Sequence, residues 1–497
     1  MSTSDLVVGV SGDSRHACVA VCSTQGMLGV SEQERITRVR GAGVNRSGLP
    51  DEAVDELLRR AGRSREDVAA YVTPESAVQA VSDATLGHHL AHAWTAFLPS
   101  PFESAAVLIC DHQFPYVSVW DGCGNSITPL EWPWQGPGFA ELYSTCAAIV
   151  LKAAWREPSF EALARLNPGA RNGRVDEWFG GGIAGLILSH DWQSRLDEWV
   201  AGGGEHRAAP VAAALQSRIG DLLVGLVAEI RRRLPGRTRL CVGGSLFHNS
   251  YLNTRVKLCG EFDDVFVPVN PGNAGLAVGL ALSARRCERQ TVSPFLGPVY
   301  GDDEIKATLD NCKLTYQWVS NAEAVGIALR ALMKGRLVAW FEAGMEWGPR
   351  ALGGRSIVAN PFAPYVLDNL NRFLKQRPTW RGYALSGLAP AVGDHFSGPR
   401  TSAYMECDYT PKDPDRFRHV LPGPHAAVRV HTVSAQEPPR FRALLQAFGE
   451  ASGVPMLVNT SFNGFQEPIV CSPRDAVRVF FGTGIDVLVM GQFVLAK

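Results

Sequence analysis

None of the 11 cysteines forms a CxxC pair, so the sequence signals neither a zinc knuckle nor a disulfide scaffold. No run approaches the ~18 uninterrupted apolar residues of a membrane span. A charge excess is missing too. Lys+Arg 48 against Asp+Glu 49 leave a net charge of -1, which excludes a whole-protein basic field toward nucleic acid or acidic lipid. The start, Met1-Ser2-Thr3-Ser4-Asp5, lacks the cationic region of a secretory signal. Repeats at solenoid periods are absent as well. What is there reads as a globular chain, 46% hydrophobic and 20% charged. At 497 residues it has room for several domains of roughly 100–200 residues each. The expectation is a cytoplasmic enzyme with no nucleic-acid and no membrane partner.

Apolar, β-branched runs alternate with helical patterns from Val7 to about Arg286, as α/β domains require. Leu6–Val10, Val19–Cys22, Ala105–Cys110, Leu240–Val242 and Val265–Val269 are the predicted strands. The polar, proline-containing stretch Arg285–Pro298 reads as a linker to a second α/β segment. That segment has predicted helices over Ala322–Lys334 and Phe441–Gly453 and strands at Leu337–Phe341 and Ile485–Met490. Three glycine turns, around Gly12, at Gly243-Gly244 and at Gly272–Gly275, let backbone approach a phosphate closely and together suggest a nucleotide-type cleft. Taken singly, each is also an ordinary tight turn. Gly180–Gly185 matches GxGxxG but follows no strand, and it reads as a loop.

Three segments can carry chemistry. His88 and His92 stand i, i+4 on a predicted helix, Asp83–Phe97, so both imidazoles leave one face, and Asp111 follows the strand Ala105–Cys110. Nitrogen and oxygen donors of this kind admit Fe, Mn or Zn; a satisfied pair of helix histidines gives the same pattern. Glu346–Ser356 places Arg350, Arg355 and Ser356 on one short segment, with Lys375, Arg377 and Arg381 downstream, which predicts a site for a polyphosphate or acyl phosphate. Asn459 to Asn463, including Ser461, follow an apolar run and offer small polar groups at a strand's carboxyl end.

Read together, GPRALGGRSIVANP (348–361), VPMLVNTSFNGFQEPIVCSP (454–473) and HHLAHA (88–93), with SEQERITRVR (31–40) and GGSLFHNSYLN (243–253), resemble the carbamoyltransferase family of the tobramycin, cephem and nodulation-factor O-carbamoyltransferases. The resemblance runs over nearly the whole chain. It implies an ASKHA (actin/sugar-kinase-like, RNase H-type) domain of two subdomains over 1–290 and a YrdC-like α/β domain over 296–497. It also implies that ATP, with Mg, and carbamoyl phosphate yield carbamoyl-adenylate at the C-terminal site. The carbamoyl group then passes through an enclosed channel to a hydroxyl or amine of a small-molecule natural-product acceptor. Arg350, Arg355, Lys375, Arg381, Arg429, Asn459 and Ser461 fall where the family carries its nucleotide and carbamoyl-phosphate contacts. His16 matches the histidine beside the acceptor, a candidate general base with Asp111 as runner-up. Related enzymes imply a homodimer.

The departures fall mostly in the acceptor half. Asn273 stands where the family has a metal-ligating aspartate, so a metal on His88, His92 and Asp111 is held less tightly or takes an extra water. The run after Asp111 reads His112-Gln113-Phe114; either His112 serves as a nitrogen ligand or the metal is lost. Glu342 and Gly344 replace a glutamine and an arginine, and Ser159–Ala164 replaces a lysine-containing segment. Two alternatives to carbamoyl transfer therefore stand beside it. One diverts the activated intermediate to amide formation or dehydration, and the other is a catalytically silent regulatory homologue.

Overall fold

A computed structural model describes residues 5–75, 83–132, 134–153, 156–201, 204–285 and 291–497. The N-terminal half holds two five-stranded sheets. The first contains β1 (Leu6–Ser11), β2 (Cys18–Ser23), β3 (Gly26–Glu32), β4 (Val68–Pro74) and β5 (Ala84–Leu86), in the order β3-β2-β1-β4-β5. The second uses β6 (Ser104–Cys110), β7 (Val117–Cys123) and β8 (Ser126–Pro129). After the two-stranded ribbon of β9 (Phe179–Gly180) and β10 (Ile187–Leu188), it is completed by β11 (Arg239–Gly243) and β12 (Asp264–Phe266). Its order is β12-β11-β6-β7-β8. In each sheet the first three strands form an antiparallel meander and two more add in parallel beside the first. This doubled topology is the actin/sugar-kinase-like α/β architecture expected.

Helix Leu276–Arg285 packs on the first sheet, helix His88–Phe97 on the second, and the two helices on each other. Glycine permits both approaches: a Cβ on Gly9 of β1 would lie 2.0 Å from the Ala277 carbonyl oxygen, and one on Gly279 would lie 2.3 Å from Thr95 Oγ1. Helix Ala208–Arg233 is long and apolar enough to cross a membrane, but 72% of its apolar window is buried, packed on the helices Phe139–Leu151 and Glu157–Ala164.

The C-terminal half is built on one ten-stranded mixed sheet. Its strands are β13 (Gln317–Trp318), β14 (Val338–Phe341), β15 (Arg355–Ala359), β16 (Ala384–Leu388), β17 (Phe396–Ser397), β18 (Cys407–Pro411), β19 (Val428–Val433), β20 (Met456–Ser461), β21 (Val487–Met490) and β22 (Phe493–Ala496). Their order is β13-β22-β21-β14-β15-β20-β16-β19-β18-β17. The expected helices lie at Asn321–Met333 and Pro439–Ser452.

Two expectations change. The helix expected from Asp83 begins at His88, because Ala84–Leu86 pair with the edge of β4 instead. Gly180–Gly185 is not a plain loop but the start of the β9–β10 ribbon and a 3-10 turn. Residues 286–290 of the expected linker lie outside the described residues.

Candidate functional site

The histidine pair and Asp111 meet at the carboxyl end of β6. His88 Nε2 stands 3.2 Å from Asp111 Oδ1, His92 Nε2 3.5 Å from Asp111 Oδ2, and the two Nε2 atoms 3.2 Å from each other. Asn273 adds its Oδ1 at 3.2 Å from His92 Nε2, delivered by the turn before helix Leu276–Arg285. Burial pushes the Asp111 carboxyl up, but the His88 hydrogen bond, His92 and the Ser245 N–H (2.8 Å) outweigh it and hold it well below the usual range. Burial lowers His92 to about 4, so its imidazole is neutral at pH 7. The Nδ1 atoms of both histidines are buried without a hydrogen-bond partner among the described residues. Two imidazoles, an ionised carboxylate and an amide oxygen form a donor set that fits a divalent cation, with ligand atoms of His88, His92 and Asp111 within 4.8 Å of one another. His112 does not join it, for its ring bonds Ser245 Oγ (2.7 Å) and Ser144 Oγ (2.9 Å). Asp111 is a poor base, since both its oxygens are engaged.

The glycines expected to cradle phosphate are packed against neighbouring backbone. Gly243 pairs within β11 opposite Ile109, Gly244 donates its N–H to Pro271, and Gly275 donates to Gly272. A Cβ on Gly244, at φ +97°, would lie 2.1 Å from the Cys110 carbonyl oxygen, and one on Gly275 would lie 1.9 Å from that of Asn270. These glycines bring backbone against backbone, and thereby seat Asp111 and Asn273.

The arginine-rich segment 346–356 is wound around a carboxylate. Glu346 Oε1 accepts the N–H groups of Leu352 (2.7 Å), Gly354 (2.7 Å) and Arg355 (3.0 Å). That turns Arg355 inward, where its fully buried guanidinium lies 3.5 Å over the Phe341 ring and donates to the carbonyls of Glu342, Gly354, Pro298 and Cys471. Ser356 is buried with it and accepts the Gly353 N–H (3.0 Å). Neither faces a ligand, contrary to the sequence expectation. Arg350 alone leaves the loop, donating to the His248 carbonyl at 3.2 Å.

Lys375 and Arg381 do converge, with Ser461, on a cavity of about 550 Å³ at the seam of the two halves. Arg377 joins them from the C-terminal half, and Arg40 and Arg156 from the N-terminal half; among the described residues the lining contains five cations and no acidic residue. Among the described residues no carboxylate forms an ion pair with any of the five. Burial, then Arg377 and Arg429, lower Arg381 to about 10, and burial with Arg377 pushes the Lys375 ammonium down. Such a pocket stores positive potential for an anion. Asn459, at the adjoining end of β20, donates Nδ2 to Ala351 O (2.9 Å) and Ser386 Oγ (2.8 Å), leaving a buried Oδ1 with no partner among the described residues.

Beside the cavity a buried charge network joins the halves. Glu161 accepts from Arg165 Nη2 (2.7 Å), Ser250 N (2.8 Å), Ser250 Oγ (2.7 Å) and Arg429 Nη2. Asp408 on β18 binds Arg165 Nε (2.9 Å) and Ser250 Oγ (2.6 Å). Burial and Arg429 lower Arg350 to about 9, and burial and Arg350 lower His248 to about 4. The His248 ring lies against Gly272, next to Asn273. Cavity, arginine network and His–Asp cluster are thus electrostatic neighbours in series. His16, exposed at φ 56° on the β1–β2 turn, lies over Gly41, next to Arg40. Sequence reasoning missed Arg40, Arg156, Arg165 and Asp408, single charges on segments whose meeting only the fold reveals.

Two family models match this chain: the carbamoyltransferase N-terminus over residues 191–282 and the carbamoyltransferase C-terminus over residues 329–497. The chain is 31% identical to an uncharacterised Synechocystis protein, covering 82% of this chain and 75% of that one. It is 31% identical to the nodulation protein NolO of Bradyrhizobium diazoefficiens, covering 59% of this chain and 55% of the relative. With the 3'-hydroxymethylcephem-O-carbamoyltransferase of Amycolatopsis lactamdurans it shares 30% identity over 58% of this chain and 54% of that enzyme. It spans about half the length of the latter two. The chain belongs to the carbamoyltransferase family of enzymes.

Proposed function

We propose that this protein transfers a carbamoyl group to a hydroxyl or amine of a small natural-product acceptor, using carbamoyl phosphate and ATP and passing through carbamoyl-adenylate. The observation that carries the reading is the five-cation, acid-free cavity in a chain of this family. Both donors are anions. Their conversion to the adenylate takes up one water and releases one phosphate and one pyrophosphate; attack by the acceptor then forms the new carbamoyl bond and expels AMP.

In this scheme Arg377 and Arg381 bind donor phosphates, and Lys375 adds its charge. Arg350 and Arg429 steady the adenylate, and the unpartnered Asn459 Oδ1 accepts a carbamoyl N–H. His16, exposed to solvent, takes the acceptor's proton. His88, His92 and Asp111, with Asn273 as a neutral oxygen donor, would hold a divalent metal such as Fe, Mn or Zn, which supplies Lewis-acid polarisation at the acceptor end.

The test is an acceptor-free assay. Phosphate and AMP should appear from carbamoyl phosphate and ATP only when both are present, the adenylate falling to water. ATP turnover that ignores carbamoyl phosphate would contradict the reading. With an acceptor supplied, the product should gain a mass of about 43, a carbamoyl group replacing one hydrogen.

A further inference from the structure

We propose that the donor phosphates are held by both halves of the chain at once, with Arg40 and Arg156 of the N-terminal half completing the anion site that the C-terminal half begins. This deepens the reading of the seam cavity as a carbamoyl-phosphate and ATP site and rests on it.

The supply of N–H donors makes the case. Lys375 has three ammonium protons and faces three oxygens, Ser461 O at 2.7 Å, Asn463 O at 3.0 Å and Asn463 Oδ1 at 2.5 Å. It gives the cavity charge but no spare hydrogen. Arg377 sits over Tyr383, its Cζ 4.0 Å from the ring centroid, and gives Nε to Asn371 Oδ1 at 2.8 Å, so its Nη edge is what it has left for a ligand. Of the charged groups that the C-terminal half brings to the cavity, Arg381 and that edge are what is left, fewer than the charges of a triphosphate. The remaining cations of the lining, Arg40 and Arg156, come from the other half.

Neither is a loose surface arginine. In the segment that carries Arg40, Arg35 Nη2 donates to Gly348 O at 2.9 Å and Arg38 Nη2 to Pro468 O at 2.8 Å, with Arg38 Nε 3.4 Å from Asp475. The C-terminal half therefore grips this segment two residues before Arg40. Arg156 immediately precedes the helix Glu157–Ala164, which Glu161 ties to Arg429. Both guanidinium groups are exposed, and among the described residues neither has an ion-pair partner. Fixed stems and unpaired heads are what a recurring anion requires. A polyanion bound here bridges the halves and tightens the seam.

Calorimetric titration of inorganic pyrophosphate and of Mg-ATP against the full chain tests this, with Arg40→Ala, Arg156→Ala and the double variant, and Arg46→Ala as an exposed control. Each single variant should raise both dissociation constants about ten-fold or more, as loss of a charged hydrogen bond requires, and Arg46→Ala should not. Pyrophosphate should also raise the melting temperature of the wild type but not of the double variant. Wild-type affinity for pyrophosphate in the double variant overturns the shared site while leaving the donor cavity standing. Failure of the wild type to bind either probe overturns the donor cavity itself.

Discussion

Replacing Glu161 by Gln removes one negative charge from a buried position facing the guanidinium groups of Arg429, Arg165 and Arg350. Burial pushes the Glu161 carboxyl up, yet Arg429 and Arg165 hold it well below its ordinary range, so it is ionised in the folded protein. The amide keeps the shape and one oxygen, which can still serve Ser250 and Arg165. Its NH2 then meets Arg429, donor against donor. Removing one partner of a buried pair costs about 3–5 kcal/mol. Arg165 keeps Asp408 at 2.9 Å and Arg429 keeps Ser250 Oγ at 2.8 Å, which lowers the expected loss to about 2–3 kcal/mol. Urea unfolding followed by tryptophan fluorescence reads this directly. A cycle with Asp408→Asn should give a coupling of at least about 1 kcal/mol, because both carboxylates hold Arg165 and Ser250. A Glu161→Gln protein within about 0.5 kcal/mol of wild type would refute the claim that this network braces the seam.

Metal analysis of the purified protein should find a divalent ion that His92→Ala loses, and Asn273→Asp should bind it about ten-fold tighter or more by adding a charged ligand; equal metal content in His92→Ala argues against the site. Gly244→Ala should destabilise the fold by about 3 kcal/mol or more, read by thermal melting, since its Cβ would meet the Cys110 carbonyl at 2.1 Å in a left-handed backbone. Burial lowers His431 to about 3, so the unfolded chain binds a proton that the folded chain refuses. Stability from this residue is full above about pH 6.5 and falls with acid, by about 2 kcal/mol at pH 5. His431→Gln should lessen the fall in unfolding free energy between pH 8 and pH 5, and an unchanged slope would count against the assignment.

The alternating apolar runs were legible because strand and helix periods show in the order of residues, and the His88, His92 and Asp111 grouping because i, i+4 spacing fixes a shared helix face. The short edge strand Ala84–Leu86 was not, since its partner lies in β4 and local pattern favoured helix. The arginine-rich segment misled in part. Its density announces an anion, yet Glu346, six to nine positions from the N–H groups it captures, coils the loop and sends Arg355 to carbonyl oxygens. Side-chain direction at such a loop is set by tertiary hydrogen bonds. Arg156 carried no local signal, and Arg40 only its place at the end of the SEQERITRVR segment; the two become part of one site only where the fold brings them to the cavity that Arg381 lines.

The most direct measurement is the rate at which carbamoyl phosphate drives AMP release from ATP without acceptor, in wild type and in Arg381→Ala. Loss of at least about ten-fold in the variant, with its metal content and melting temperature unchanged, is the predicted outcome. An Arg381→Ala enzyme that releases AMP at the full rate would show that the donors bind somewhere other than the cationic seam.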